Sequence, residues 1–249
     1  MARISESEGL IVALDFDGTL AELSSDPWGV RALPESVVEI ERLASRTDTK
    51  VAIISGRSLH ALKRVVQFSS TVALVGSHGA ETESKSPTVL TEIETQLLEQ
   101  LREAHREVQA QFPGAEIEIK PAGAALHTRA LGSLENTEEA QQYLLTLVAE
   151  LDHDHKIHHR YGKEILEFTL RHSDKGEAIQ ELKSEFEAQA VLFIGDDVTD
   201  EDGFAVLTPQ DVGIKVGEGQ TRARFRVGSP VQVARVLELV RQLESNRNP

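Results

Sequence analysis

The chain contains no cysteine. Disulfides, thiolate nucleophiles and cysteine metal sites are therefore excluded, and the composition fits a reducing compartment. Cations are scarce as well: Lys+Arg 26 against Asp+Glu 41 gives a formal net charge of -15. A surface of that sign repels nucleic acid and anionic membranes, so neither is an expected partner, and an anionic substrate would need local cations. Arg222, Arg224 and Arg226 are too few against this background to suggest a nucleic-acid site. Aromatic residues make up only 4%, with a single tryptophan. That residue, Trp28, either packs or lines the mouth of a cleft. No apolar run is long enough to span a bilayer, and the acidic opening Met1 to Glu8 lacks the apolar region of a signal peptide, so a cytoplasmic protein is expected.

What is present suits a globular enzyme. A chain of 249 residues with 40% hydrophobic content can build one large α/β domain, or a core with a smaller inserted domain. Four short apolar runs, Leu10 to Leu14, Val51 to Ile54, Val72 to Val75 and Val191 to Ile194, each end in small or polar residues. Parallel strands covered on both faces look like this. Between the first two runs, Val37, Val38, Ile40, Leu43 and Ala44 fall at helical spacing behind Pro34, and Leu59 to Phe68 is again helical. The order β-α-β-α-β predicts a Rossmann-like, doubly wound parallel sheet.

The pattern changes from about Thr82 to Arg171. One helix carries Ile93, Leu97, Leu101, Ala104 and Val108 on a face, and a second carries Ala140, Leu144, Leu147, Val148 and Leu151. Strand-like pieces lie around Ile117-Glu-Ile-Lys, Ala125-Leu-His-Thr-Arg, Ile157 and Ile165 to Leu170. The expected fold class is thus α/β, with a core of residues 1–81 and 172–249 and an inserted α+β cap of residues 82–171. Asp152 to His159 holds four histidines, and its place between a helix and a strand favours a solvated turn over a transition-metal site.

The chemistry gathers at strand ends. Asp15 and Asp17 follow the first run in the sequence L-D-F-D-G-T-L. Two carboxylates so placed suit phosphoryl transfer, Asp15 attacking phosphorus and Asp17 protonating the departing sugar oxygen and later deprotonating water. Gly18 permits the sharp turn, and Thr19 is expected to hydrogen-bond locally and hold the carboxylates. After the fourth run comes G-D-D-V-T-D-E-D. So many carboxylates repel one another unless a hard cation offsets them, which favours Mg²⁺ on Asp196 and Asp200, with Asp197 orienting its neighbours. EF-hand spacing is absent. Ser55, Gly56 and Arg57 after the second run, and Lys175 at a helix start, offer a hydroxyl, a close backbone approach, a guanidinium and an ammonium to one phosphate.

These four segments, in this order, resemble the haloacid dehalogenase superfamily of phosphatases. Across nearly the whole chain the sequence is similar to trehalose-6-phosphate phosphatases, through L-D-F-D-G-T-L, I-S-G-R, G-S-H-G-A-E, E-I-K-P, A-L-H-T-R, G-K-E-I-L-E, D-K-G and G-D-D-V-T-D-E-D-G-F. The resemblance implies Mg²⁺ dependence, a cap closing over the substrate and trehalose as product. It makes Asp15 the nucleophile and a metal ligand, Asp17 an acid/base that also offers its backbone carbonyl to the metal, and Asp196 the remaining carboxylate ligand. It assigns Ser55 and Lys175 to the phosphoryl group. It brings Glu118, Lys120, Arg129, Lys163 and Glu167 to the sugar hydroxyls and sets His78 and Glu81 in a hinge-side loop. Alternation puts Glu118 with Lys120, and His127 with Arg129, on common strand faces. The competing expectations are a phosphatase for sucrose phosphate or glucosyl-glycerate phosphate, a phosphomutase, or a non-catalytic sugar-phosphate sensor. The last is disfavoured because Asp15, Asp17, Lys175 and Asp196 are all present.

Overall fold

The structure, a computed structural model, describes residues 9–24, 26, 28–83, 90–162, 164–171 and 174–245. The chain divides into two compact units, residues 1–85 with 173–249 and residues 86–172.

In the larger unit, strands β1 (Leu10–Leu14), β2 (Thr49–Ile54), β3 (Ala73–Gly76), β4 (Glu81–Thr82), β9 (Ala190–Gly195), β10 (Val212–Val216) and β11 (Phe225–Val227) form one sheet. Its order is β11-β10-β9-β1-β2-β3-β4, and every pairing is parallel except β3 with β4. Leu10, Val12 and Leu14 of β1 join one buried cluster with α1 (Pro34–Ala44), α2 (Leu59–Val65) and α7 (Pro230–Ser245). Ile11 and Ala13 join another with α5 (Lys175–Glu185) and α6 (Asp200–Ala205). Burial on both faces is why the run is continuously apolar rather than alternating. The chain leaves β1 for β2 on one side and returns as β9 on the other, so β1 and β9 flank the point where the winding reverses. In such sheets ligands bind beyond the carboxyl ends of those strands.

The smaller unit packs α3 (Glu92–Gln111) and α4 (Leu134–Leu151) on an antiparallel sheet of order β5-β6-β8-β7, formed by β5 (Glu116–Lys120), β6 (Gly123–His127), β7 (His158–Gly162) and β8 (Ile165–Thr169). Leu126, Leu166 and Phe168 face the helices with Leu101, Val108, Ala140 and Leu144. The opposite face carries a cross-strand row Glu118, Ala125, Glu167 and Arg160, beside the row Lys120, Gly123, Thr169 and His158.

Several expectations are corrected. Helix α2 ends at Val65, not Phe68. Strand β6 stops at His127, and Arg129 begins a 3₁₀ turn, so the two do not share a strand face. The strand expected around Ile157 starts at His158, which places His158 and His159 on β7 rather than in the preceding turn. Strands β10 and β11 and helices α6 and α7 are additions to the sequence reading. Among the described residues no helix is long and apolar enough to cross a membrane.

Candidate active site

Asp15 stands directly after β1, its backbone N–H donating to the Ile194 carbonyl of β9 at 2.9 Å. Asp196 follows β9, and Asp200 opens α6. One carboxylate oxygen from each of Asp15, Asp196 and Asp200 lies within 4.8 Å of the others. Lys175, at the first turn of α5, is buried and donates to Asp15 Oδ1 and to Asp200 Oδ1, both at 2.6 Å. Burial pushes the Asp15 carboxyl well above the usual carboxylate range; the Lys175 ammonium pulls it down, while Asp200 and Asp196 push it further up. Burial alone would lower Lys175, but the charges of Asp15 and Asp200 outweigh it and hold the ammonium above its ordinary value.

Two features show that this cluster fits a hard cation. Asp15 Oδ2 is buried without a hydrogen-bond partner, which is costly unless something positive meets it. The donors are all oxygens, the set that suits a hard divalent ion. Gly18 (φ +82°) makes room for the arrangement: a Cβ there would lie 2.3 Å from Asp196 Oδ2.

Asp17 is placed differently from its neighbour. Its carboxylate is outside the cluster and forked to Arg57, Nε donating to Oδ2 at 2.6 Å and Nη2 to Oδ1 at 2.7 Å. The guanidinium expected to meet a phosphate is thus engaged by Asp17. Thr19 does not act as expected: its hydroxyl is buried with no partner, and the turn is closed instead by the N–H groups of Thr19, Leu20 and Ala21 donating to the Phe16 carbonyl.

Ser55, buried after β2, accepts from the Arg57 N–H at 3.2 Å. A second loop clamps this one. Ser77 N donates to the Arg57 carbonyl at 2.7 Å and His78 N to the Ser55 carbonyl at 2.9 Å. Ser77 and His78 have φ of 47° and 56°, a left-handed pair unusual for non-glycine residues and typical of a functional loop held by its surroundings. The His78 ring lies on Gly56, where a Cβ would be 2.7 Å from Cε1. Glu81 has a structural task, its Oε1 accepting from Ser77 Oγ at 2.5 Å and from Leu59 N at 3.3 Å. Trp28 is half-exposed with the Arg64 guanidinium 3.9 Å from the ring centroid.

Within the smaller unit, Lys120 is buried and pairs with Glu167 at 2.7 Å, and His127 Nε2 lies 3.3 Å from Glu118. Arg129 is directed to Glu164 at 2.9 Å, off the sheet. Lys163 lies outside the described residues.

The sequence reading missed Lys215. It sits in β10, is buried, and donates to the backbone carbonyl of Asp196. The available signal was a lone lysine in the apolar run V-G-I-K-V.

Known proteins are similar to this chain in sequence and in fold. A trehalose-6-phosphate phosphatase of Escherichia coli (strain K12) is 33% identical over 247 residues, spanning 94% of this chain and 89% of the relative. A trehalose-phosphate phosphatase of Mycobacterium tuberculosis (strain ATCC 25618 / H37Rv) is 31% identical over 250 residues, and this chain spans 61% of its length. The solved C-terminal domain of the C. albicans trehalose-6-phosphate phosphatase shares the fold, with TM-score 0.81 over 97% of this chain and 94% of the domain at 23% identity. The trehalose-phosphatase family matches residues 13–230, a span that includes Asp15, Ser55, Lys175 and Asp196. The chain belongs to the trehalose-phosphatase family.

Proposed function

We propose that this chain hydrolyses trehalose 6-phosphate to trehalose and phosphate through a phospho-Asp15 intermediate. The observation that carries this reading is Asp15 itself, buried, held by Lys175 on one oxygen and unpartnered on the other, beside two further carboxylates. An Asp15 carboxylate oxygen attacks phosphorus. As the bond to the sugar oxygen breaks, Asp17, which enters the step with one carboxyl oxygen protonated and the other held by Arg57, gives the sugar oxygen that proton. Asp17 then takes a proton from water, whose oxygen attacks the same phosphorus, breaking the acyl-phosphate and releasing inorganic phosphate and free Asp15. Lys175 and Ser55 hold the phosphoryl oxygens, and Arg57 fixes the direction in which the Asp17 carboxylate points. The backbone of Gly56 and the ring of His78 line the same loop.

Asp15, Asp196 and the backbone carbonyl of Asp17 would hold Mg²⁺, with Asp200, whose oxygens accept from Lys175 and Asp197 N, supporting the set. Bound there, the ion supplies neutralisation of the carboxylates and of the phosphate dianion. Sugar selectivity belongs to the polar sheet face of the smaller unit, where Glu118, Lys120 and Glu167 offer acceptors and an ammonium to hydroxyls above the small residues Gly123 and Ala125. Arg129 and Lys163 are secondary members of that group.

The test is a panel of sugar phosphates assayed for inorganic phosphate with and without Mg²⁺. Trehalose 6-phosphate should be the preferred substrate, with turnover lost on chelation and in Asp15→Asn. Faster release from sucrose phosphate or glucosyl-glycerate phosphate would replace the substrate, interconversion without release would indicate a mutase, and binding without release a sensor.

A further inference from the structure

Lys215 is a buried cation that none of the steps above uses. It lies between Ile214 and Val216 in β10, opposite Gly195 of β9, where an ammonium is costly to bury unless it meets specific acceptors. Its acceptor is the carbonyl oxygen of Asp196. The N–H of the same peptide group, that of Asp197, donates to Asp200 Oδ2 at 2.8 Å. One peptide plane is therefore held at both ends, by a buried lysine at the carbonyl and a buried carboxylate at the amide.

That plane fixes the backbone torsion following the Asp196 Cα, and so the direction in which the Asp196 side chain leaves the chain. Gly18, lacking a Cβ, leaves space for the carboxylate on the far side. We propose that Lys215 is a positioning residue that holds the Asp196 carboxylate in ligand geometry for the divalent cation. This rests on the reading of Asp196 as a cation ligand. Lys215 acts through the backbone of Asp196 and touches neither substrate nor the reacting atoms. Groups that orient a metal ligand typically change metal affinity by roughly 10- to 100-fold when removed.

The experiment is calorimetric titration of the substrate-free protein with Mg²⁺, for wild type, Lys215→Met and Lys215→Gln, alongside thermal melts without metal. Lys215→Met should weaken binding roughly 10- to 100-fold, and Lys215→Gln, which keeps a donor, should recover part of the loss. In phosphate-release assays the same loss should be overcome by raising Mg²⁺. Wild-type affinity in Lys215→Met, with only a lowered melting temperature, would overturn the proposal and leave Lys215 a structural residue. Should the Met variant fail to fold, the Gln variant decides: weakened affinity supports the positioning role, and unchanged affinity overturns it. If wild type binds no Mg²⁺, the parent reading of Asp196 fails and this proposal fails with it.

Discussion

Arg57 and Asp17, forty positions apart in the chain, meet in a two-bond fork with distances of 2.6 and 2.7 Å. Both are partly accessible, with side chains 13% and 31% exposed, so the pair contributes little to folding, about 1 kcal/mol or less. Its value is directional. Arg57→Ala should lower kcat by about 10- to 100-fold with little change in melting temperature, because Asp17 loses the partner that aims it. Arg57→Lys should restore little, since an ammonium cannot reproduce a planar fork. Wild-type kcat in Arg57→Ala would show that Asp17 needs no such partner.

The Lys120–Glu167 pair sets up a second prediction with two readouts. Both side chains are nearly buried, at 5% and 12% exposure, so removing Glu167 takes a close carboxylate from the Lys120 ammonium. Glu167→Ala should lower stability by about 1 to 3 kcal/mol. It should also reduce kcat/KM for trehalose 6-phosphate far more than for an aryl phosphate that lacks the disaccharide. Equal losses on both substrates would remove Glu167 from sugar recognition.

Why some of this was legible in the sequence and some was not follows from the kind of signal each residue leaves. Asp15, Ser55 and Asp196 were readable because strands buried on both faces are continuous apolar runs, and a polar residue at the end of such a run marks its rim. Strand β10 broke that rule. Gly213 and Lys215 interrupt its apolar character, so the run does not read as a buried strand. Helix α7 was a missed pattern rather than a hidden one: Val233, Leu237 and Val240 recur at helical spacing and are buried. The Arg57–Asp17 fork had no local trace, because spacing along a chain does not report contact across a sheet. Thr19 was over-read, its hydroxyl being given a task that three backbone N–H groups perform.

His105 makes the smaller unit sensitive to acid. Its ring is fully buried on α3, with Nδ1 2.8 Å from the Leu101 carbonyl and Phe168 edge-on at 5.8 Å. Burial lowers its pKa to about 4, against an ordinary 6.5. The unfolded chain therefore binds this proton more readily than the folded one. The stability associated with neutral His105 is complete above pH 6.5 and is lost as the pH falls toward 4. The gap corresponds to roughly 3 kcal/mol. Melting temperature should decline across that window, and His105→Leu should flatten the decline. An unchanged pH profile in the variant would mean that other groups carry the acid sensitivity.

Gly18 gives the sharpest test of how tightly the acidic cluster is built. Alanine there incurs two separate penalties: a backbone at φ +82°, costing about 1 kcal/mol for a residue with a Cβ, and a methyl group 2.3 Å from Asp196 Oδ2. Gly217, with φ +74° and open space around the position of a Cβ, isolates the first penalty. Gly217→Ala should therefore lower the melting temperature by a few degrees and leave turnover and Mg²⁺ dependence close to wild type. Gly18→Ala should lose about as much stability from the backbone and, in addition, roughly 100-fold in kcat/KM, because a shift of about 1 Å in a group at the reacting centre costs that much. Its Mg²⁺ requirement should move to higher concentration, since the displaced carboxylate belongs to the cluster that fits the cation. If Gly18→Ala behaves like Gly217→Ala in both assays, the Asp196 carboxylate can yield without loss, and its position is not what the reaction depends on.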